Sequence, residues 1–131
     1  MTRLEDEGGF WTPLERFESE EGSVIGSSIL YRMTASDYSH LHRLKEDELW
    51  VLVKGSVTQL LLYPDGTWEK LELCQSRPAS MVRKHVWQAA WTEDEAIVAC
   101  VLCPPFSELE MAGEEIASQY PGCPYIRKAL K

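Results

Sequence analysis

The sequence lacks any run approaching the roughly 18 consecutive apolar residues that a membrane span requires, so no transmembrane helix is expected. Its first residues, Met1 to Glu7, are polar and acidic, whereas a secretory signal needs a basic end followed by an apolar stretch. A cytoplasmic protein without membrane contact is the expectation. Positive charge is also scarce. Lys and Arg number 13 against 21 Asp and Glu, a formal charge of −8, which is the wrong sign for general attraction to a phosphate backbone. Nucleic acid is therefore not an expected partner; a small-molecule ligand or another protein is. Cysteine is limited to four residues, Cys74, Cys100, Cys103 and Cys123, which in a cytoplasmic chain are reduced thiols rather than a disulfide framework. Cys100 and Cys103 form a C-x-x-C, but it lies in the apolar run Ala96 to Cys103, which reads as a strand. A spacing of three on a strand sends side chains to opposite faces. With no second Cys or His pair at zinc spacing, structural thiols are the reading, ahead of a metal or redox site.

Sustained helical periodicity is missing too, and what replaces it is informative. From Ser27 to Cys103 short apolar or alternating runs are separated by turn signals, an all-β signature. The expected strands are Ser27 to Thr34, Tyr38 to Leu44, Glu48 to Lys54, Val57 to Tyr63, Trp68 to Leu73, Ser80 to Arg83, Val86 to Trp91 and Ala96 to Cys103. Roughly eight strands fit one sandwich or barrel. Pro64-Asp65-Gly66 marks a hairpin, because Asp-Gly supplies the positive φ of tight turns, and Gly55 closes another connection. Beyond Pro104-Pro105, Glu108 to Gln119 has the composition of a short helix with Leu109, Ala112 and Ile116 on one side. The first 26 residues read as irregular chain plus one possible edge strand. With 131 residues, 44% of them hydrophobic and 26% charged, the chain is expected to form a single domain, residues 1–131, around one core.

Chemistry concentrates at His40 and His42. One residue apart on a strand, their imidazoles project from one face about 7 Å apart, and Glu48 opens the next strand, where an antiparallel return brings its carboxylate beside them. Two imidazoles and a carboxylate accept a divalent transition metal. Without metal, a neutral imidazole is the best general base near neutral pH, and Glu48 orients it or takes part itself. Trp50 shares the face of Glu48 and reads equally as pocket wall or core. Gln59 and Tyr63, along one face of the following strand, and Tyr31, on the strand before the histidines, are candidate ligand-binding partners. His85, between Arg83 and Lys84, reads first as a solvated cationic tip.

His-x-His, then Glu, then six residues, then Gly resembles the first cupin motif. Glu7-Gly8-Gly9-Phe10-Trp11, Ser39-His40-Leu41-His42-Arg43-Leu44, Asp47-Glu48-Leu49-Trp50 and Val86-Trp87-Gln88-Ala89-Ala90, with Cys100, Pro104 and Phe106 following, together resemble the cupin-superfamily group catalogued as domain of unknown function 985, sometimes labelled predicted sugar epimerases. The resemblance implies a double-stranded β-helix, or jelly-roll barrel, commonly a homodimer, with a ligand pocket in one barrel mouth. It also implies a place for a metal. In the second cupin motif, Pro-x-Gly-x-x-His, the final His completes a metal set; here Arg83-Lys84-His85-Val86-Trp87-Gln88 aligns with it, and Gln88 stands in that position. The implied metal set is His40, His42, Glu48 and Gln88, and Gln88 is otherwise a ligand contact. Three readings of function stand side by side: an isomerase or epimerase of a sugar-like or nucleotide-sugar-like metabolite using His40, His42 and Glu48; a metal-dependent enzyme using the same residues and Gln88; and a binding module without catalysis.

Overall fold

A computed structural model describes all of residues 1–131. The strands are β1 (Thr2–Arg3), β2 (Phe10–Glu18), β3 (Val24–Thr34), β4 (Ser39–Leu44), β5 (Asp47–Lys54), β6 (Val57–Leu62), β7 (Trp68–Leu73), β8 (Ala79–Val82), β9 (Trp87–Trp91), β10 (Glu95–Cys103) and β11 (Leu109–Met111), followed by helices α1 (Ile116–Gln119) and α2 (Ile126–Ala129). They form two antiparallel sheets, one ordered β1-β2-β3-β10-β5-β8 and the other β11-β4-β9-β6-β7. Such order, with β10 between β3 and β5, is a jelly roll: consecutive strands pass from one sheet to the other and late strands return between early ones. Every expected strand is present, with ends displaced by three residues or fewer. No helix is long and apolar enough to cross a membrane.

Alternation explains the interior. Along β10, Ala96, Val98, Cys100 and Leu102 are buried while their neighbours are less so, and the same period places Tyr31, Met33 and Trp50 inside. They meet Leu61, Leu73 and Ala90 of the other sheet in one core cluster. The Pro64-Asp65-Gly66 turn forms as its residues dictate: Gly66 adopts φ 90°, Tyr63 N–H donates to Thr67 C=O at 2.9 Å, and Asp65 Oδ1 accepts from Thr67 N–H at 3.0 Å.

The two ends of the chain differ from expectation. Phe10–Glu18 is a nine-residue strand, held by pairing with β3 rather than by any apolar alternation of its own. The expected helix from Glu108 to Gln119 is helical only over Ile116–Gln119, because its first half pairs with the free edge of β4 as β11. Ala112 N–H extends that pairing by donating to Leu41 C=O at 3.0 Å. Ladder bonds to an open edge outweigh a composition that only weakly favours helix. Both helices cover the outer face of the five-stranded sheet, where Ile116, Tyr120 and Ile126 pack with Leu41, Trp87 and Trp91.

Candidate functional site

Near one end of the barrel lies a cavity of about 460 Å³, mostly apolar in its walls, with His42, Glu7 and Glu48 as its ionisable interior groups beside Tyr31, Trp50 and Cys100. This volume is within the range of small-ligand sites. β4 and β5 deliver His42 and Glu48 from opposite sheets, and β3 delivers Tyr31.

Glu7 reaches the cavity because the chain before β2 is strapped across the mouth. Gly8 and Gly9 are buried at φ 97° and 81°. A Cβ on Gly8 would stand 2.1 Å from Tyr38 O, and one on Gly9 would stand 2.3 Å from the Tyr31 hydroxyl, so only glycine permits so close an approach with this backbone. Hydrogen bonds fasten the strap. Tyr31 donates its hydroxyl to Gly8 C=O, Gly9 N–H donates to Asp37 Oδ1 at 2.8 Å, and the His40 backbone N–H and ring Nδ1 both donate to Glu7 C=O, at 2.8 and 2.9 Å. Ser39 Oγ then donates to Glu7 Oε2 at 2.8 Å, leaving Glu7 Oε1 3.8 Å from His42 Nε2.

The tautomer of His42 follows from its partner. Nδ1 lies 2.7 Å from His40 C=O, an oxygen that can only accept, so Nδ1 carries the hydrogen and Nε2 of the neutral ring presents its lone pair. The imidazole is 2% exposed, which fixes its aim toward Glu7 and the cavity.

Glu48 is held differently. Burial, and next the charge of Glu7, push its carboxyl above the usual carboxylate range, against the opposing pull of His42, of the Gln88 amide and of the Trp50 indole. Gln88 Nε2 donates to Glu48 Oε1 at 2.9 Å. The Cys100 thiol is pushed well above its ordinary value by burial and by the neighbouring Glu48 and Glu7, and Tyr31 is raised well above its own chiefly by burial. Both therefore keep their protons at neutral pH. One interior group has a free lone pair and another resists ionisation, a combination suited to taking a proton and giving one.

The structure gathers His42, Glu48, Trp50 and Tyr31 around this cavity, while His40, Gln88, Gln59 and Tyr63 stand outside its lining. β4 bulges between Ser39 and His42 in its pairing with β9, and the ring of His40 lies against Tyr38, centroids 4.7 Å apart, fastening the strap instead of facing the hollow. Gln88 is directly opposite His42 and supports Glu48 from behind. Gln59 is fully buried deeper in the barrel, accepting from Ser80. Tyr63 sits at the β6–β7 turn, donating to Glu69 Oε1 at 2.8 Å; burial first, and then this interaction, push its hydroxyl up to about 12.

The residues do not fit a divalent metal. No group of three or more His, Cys, Asp or Glu side chains stands close enough to hold one, and Gln88 turns its NH2, not its carbonyl, to the carboxylate. Gln88 Oε1 is left buried without a partner. Glu7 is the cavity residue that strand periodicity did not reveal, since it precedes the first long strand. Its available signal was the buried Gly8-Gly9 pair that follows it.

The family described as Cupin superfamily (DUF985), designated Cupin_5, matches residues 3–112. No curated protein matches. Among solved structures, protein SO0799 from Shewanella oneidensis is similar at 25% identity and a TM-score of 0.85, over 95% of this chain and 88% of that one. A hypothetical protein from Leishmania major is similar at 18% identity and a TM-score of 0.80, over 95% of this chain and 90% of that one. An oxalate decarboxylase from Bacillus subtilis shares the fold at 19% identity and a TM-score of 0.64, over 78% of this chain but 26% of its own.

Proposed function

The chain belongs to the DUF985 family of the cupin superfamily, and from that premise we propose that its barrel binds a small polar metabolite, sugar-like or nucleotide-sugar-like by family resemblance, and rearranges it by proton transfer. His42 is the base. Its Nε2 takes the hydrogen from a carbon beside a carbonyl, and Glu48, held towards its acid form, gives a proton to the carbonyl oxygen. An enol results. Return of the proton from His42 to the opposite face of that carbon, after the enol turns over in the cavity and with the carbonyl restored as Glu48 recovers its own proton, is epimerisation. Return from His42 to the former carbonyl carbon, with Glu48 recovering a proton from the neighbouring hydroxyl as that becomes the carbonyl, is isomerisation. Glu7 stabilises the imidazolium formed midway, and His40 positions Glu7 through its backbone. The observation that carries this reading is the locked ring of His42, with Nδ1 bonded to His40 C=O and Nε2 free inside a largely apolar cavity. General acid–base help of this kind accelerates a reaction by roughly 10² to 10⁴.

The test joins binding to exchange. Sugars, nucleotide sugars and organic acids are screened for thermal stabilisation, because a ligand of the native state raises the melting temperature. Each hit is then incubated in D2O and its C–H signals followed by proton NMR. The expected result is enzyme-dependent exchange at one carbon that falls by about 10² or more in His42→Gln while binding persists. Saturable binding without any exchange sinks the catalytic reading and leaves a binding module.

The setting belongs to the proposal. The protein works as a homodimer in the cytoplasm, a reducing compartment that its four free cysteines suit. Pairing is supported by the outer face of the six-stranded sheet, where Met81, Leu49 and Val101 lie side by side across three strands and Ala79, Val51 and Ala99 form the next row. An outward sheet face facing only water carries polar residues at such positions.

A further inference from the structure

The cavity has acids in its interior and a single arginine at its lip, and a backbone irregularity sets that cation in place. Trp11 and Pro13 of β2 both line the cavity. Side chains alternate along a strand, so in a regular β2 the next inward residue would be Glu15, with Arg16 on the outer face. The ladder breaks at this point. Pro13 pairs with Ile29 and Arg16 with Ser27, so three steps along β2 match two along β3. One extra residue reverses the alternation, and Arg16 joins Trp11 and Pro13 in the lining while Glu15 does not. Ser28 pins the extra residue: its Oγ accepts from Glu15 N–H and donates to Glu15 C=O, both at 2.9 Å.

Arg16 is the only Lys or Arg among the lining residues. Arg3, Arg32, Arg43 and Arg83 are each neutralised by an acid, whereas Arg16 has no ion pair and no side-chain hydrogen bond; Arg77 and Arg127 are also unpaired but do not line the cavity. In a chain of charge −8, an unneutralised guanidinium beside an apolar hollow is a local exception to a repulsive surface. We infer that Arg16 binds an anionic group of the ligand, a carboxylate or a phosphate, at the lip of the cavity and so turns the reacting carbon inward toward His42. The planar fork of donors suits either anion. Glu7, with no cation beside it to offset its charge, rejects the same anion from the interior, so attraction at one end and repulsion at the other select one orientation.

This inference rests on the reading of the cavity as the substrate site, and its test separates the two. Binding of ribose against ribose 5-phosphate, and of glucose against glucuronate, is measured by titration calorimetry at low salt for the wild type, Arg16→Gln, Arg16→Lys and Glu15→Gln. At least one anionic probe is expected to bind about tenfold or more tightly than its neutral parent, with the preference falling below about threefold in Arg16→Gln, partly retained in Arg16→Lys, unchanged in Glu15→Gln and weakened by added salt. Gain with glucuronate alone assigns a carboxylate, and gain with ribose 5-phosphate alone a phosphate. Arg16 is exposed, so an unchanged melting temperature checks that the variants fold. Absence of any anion preference, or a preference that survives in Arg16→Gln, overturns the assignment without touching the exchange chemistry of His42; loss of that chemistry with the preference intact overturns the other reading alone.

Discussion

At the scale of single residues, the most consequential group is a buried acid. Glu48 is raised chiefly by burial, so the native state favours its protonated form. For a raised carboxyl the stabilisation is complete below the unfolded value and is lost as pH climbs through the folded one. Glu48→Gln, which imitates the neutral acid, is therefore expected to melt higher than wild type at pH 8 and level with it near pH 4; thermal melts across that range check this, and a constant difference would refute it. Gly8 gives a second expectation. A side chain there meets Tyr38 O at a positive φ, so Gly8→Ala should cost about 1 to 3 kcal/mol of stability by denaturant titration and should slow exchange by lifting Glu7 from His42. Much of this site was legible. The His-x-His spacing with Glu48 following pointed to His42 and its acid partner, but nothing in a period of two announces a bulge, and the bulge in β4 separates His40 from the cavity. Glu7 was harder still, because its role comes from a chain crossing that joins distant segments.

Among elements, strands with an inward apolar face were readable and those without one were not. β10 alternates cleanly; β2 is exposed over most of its length and exists because β3 offers it an edge. β11 replaced the front of an expected helix for the same reason. α1 and α2, at four residues each, are far below the length at which a helix is stable alone. Packing holds them, and packing can be removed. Ile126 is 5% exposed, so Ile126→Ala should destabilise the protein by roughly 2 to 4 kcal/mol in urea unfolding. A loss under about 0.5 kcal/mol, the scale of an indifferent surface change, would mean that the C-terminal segment does not rest on the sheet. The bulge in β2 responds to a smaller change: Ser28→Ala removes both of its side-chain bonds and should cost about 1 to 3 kcal/mol, with a weaker hold on anions if Arg16 then turns outward.

For the whole molecule, the two sheets have opposite surroundings. The five-stranded sheet is covered on its outer side by α1 and α2, while the six-stranded sheet leaves Val53 58% and Met81 42% exposed. A second copy is the occupant proposed for that face, and charge placed in its middle should prevent docking. Leu49→Lys together with Val101→Lys is expected to convert a dimer to a monomer in sedimentation equilibrium while leaving the circular dichroism spectrum unchanged; a wild type that sediments as a monomer at 100 µM, about two orders above a typical working affinity of 1 µM, ends the idea. An all-β sandwich or barrel was legible from turn signals and period, and the jelly roll from the resemblance its motifs carry, whereas which flank stays bare was not, because it depends on where the last turns of chain come to rest. That resting place limits growth. Because those turns seal one side, the proposed pairing leaves a single flank for a second copy, and a particle with one such flank would join its twin about a two-fold axis and then be saturated; stacking into rods or fibres would need a second one.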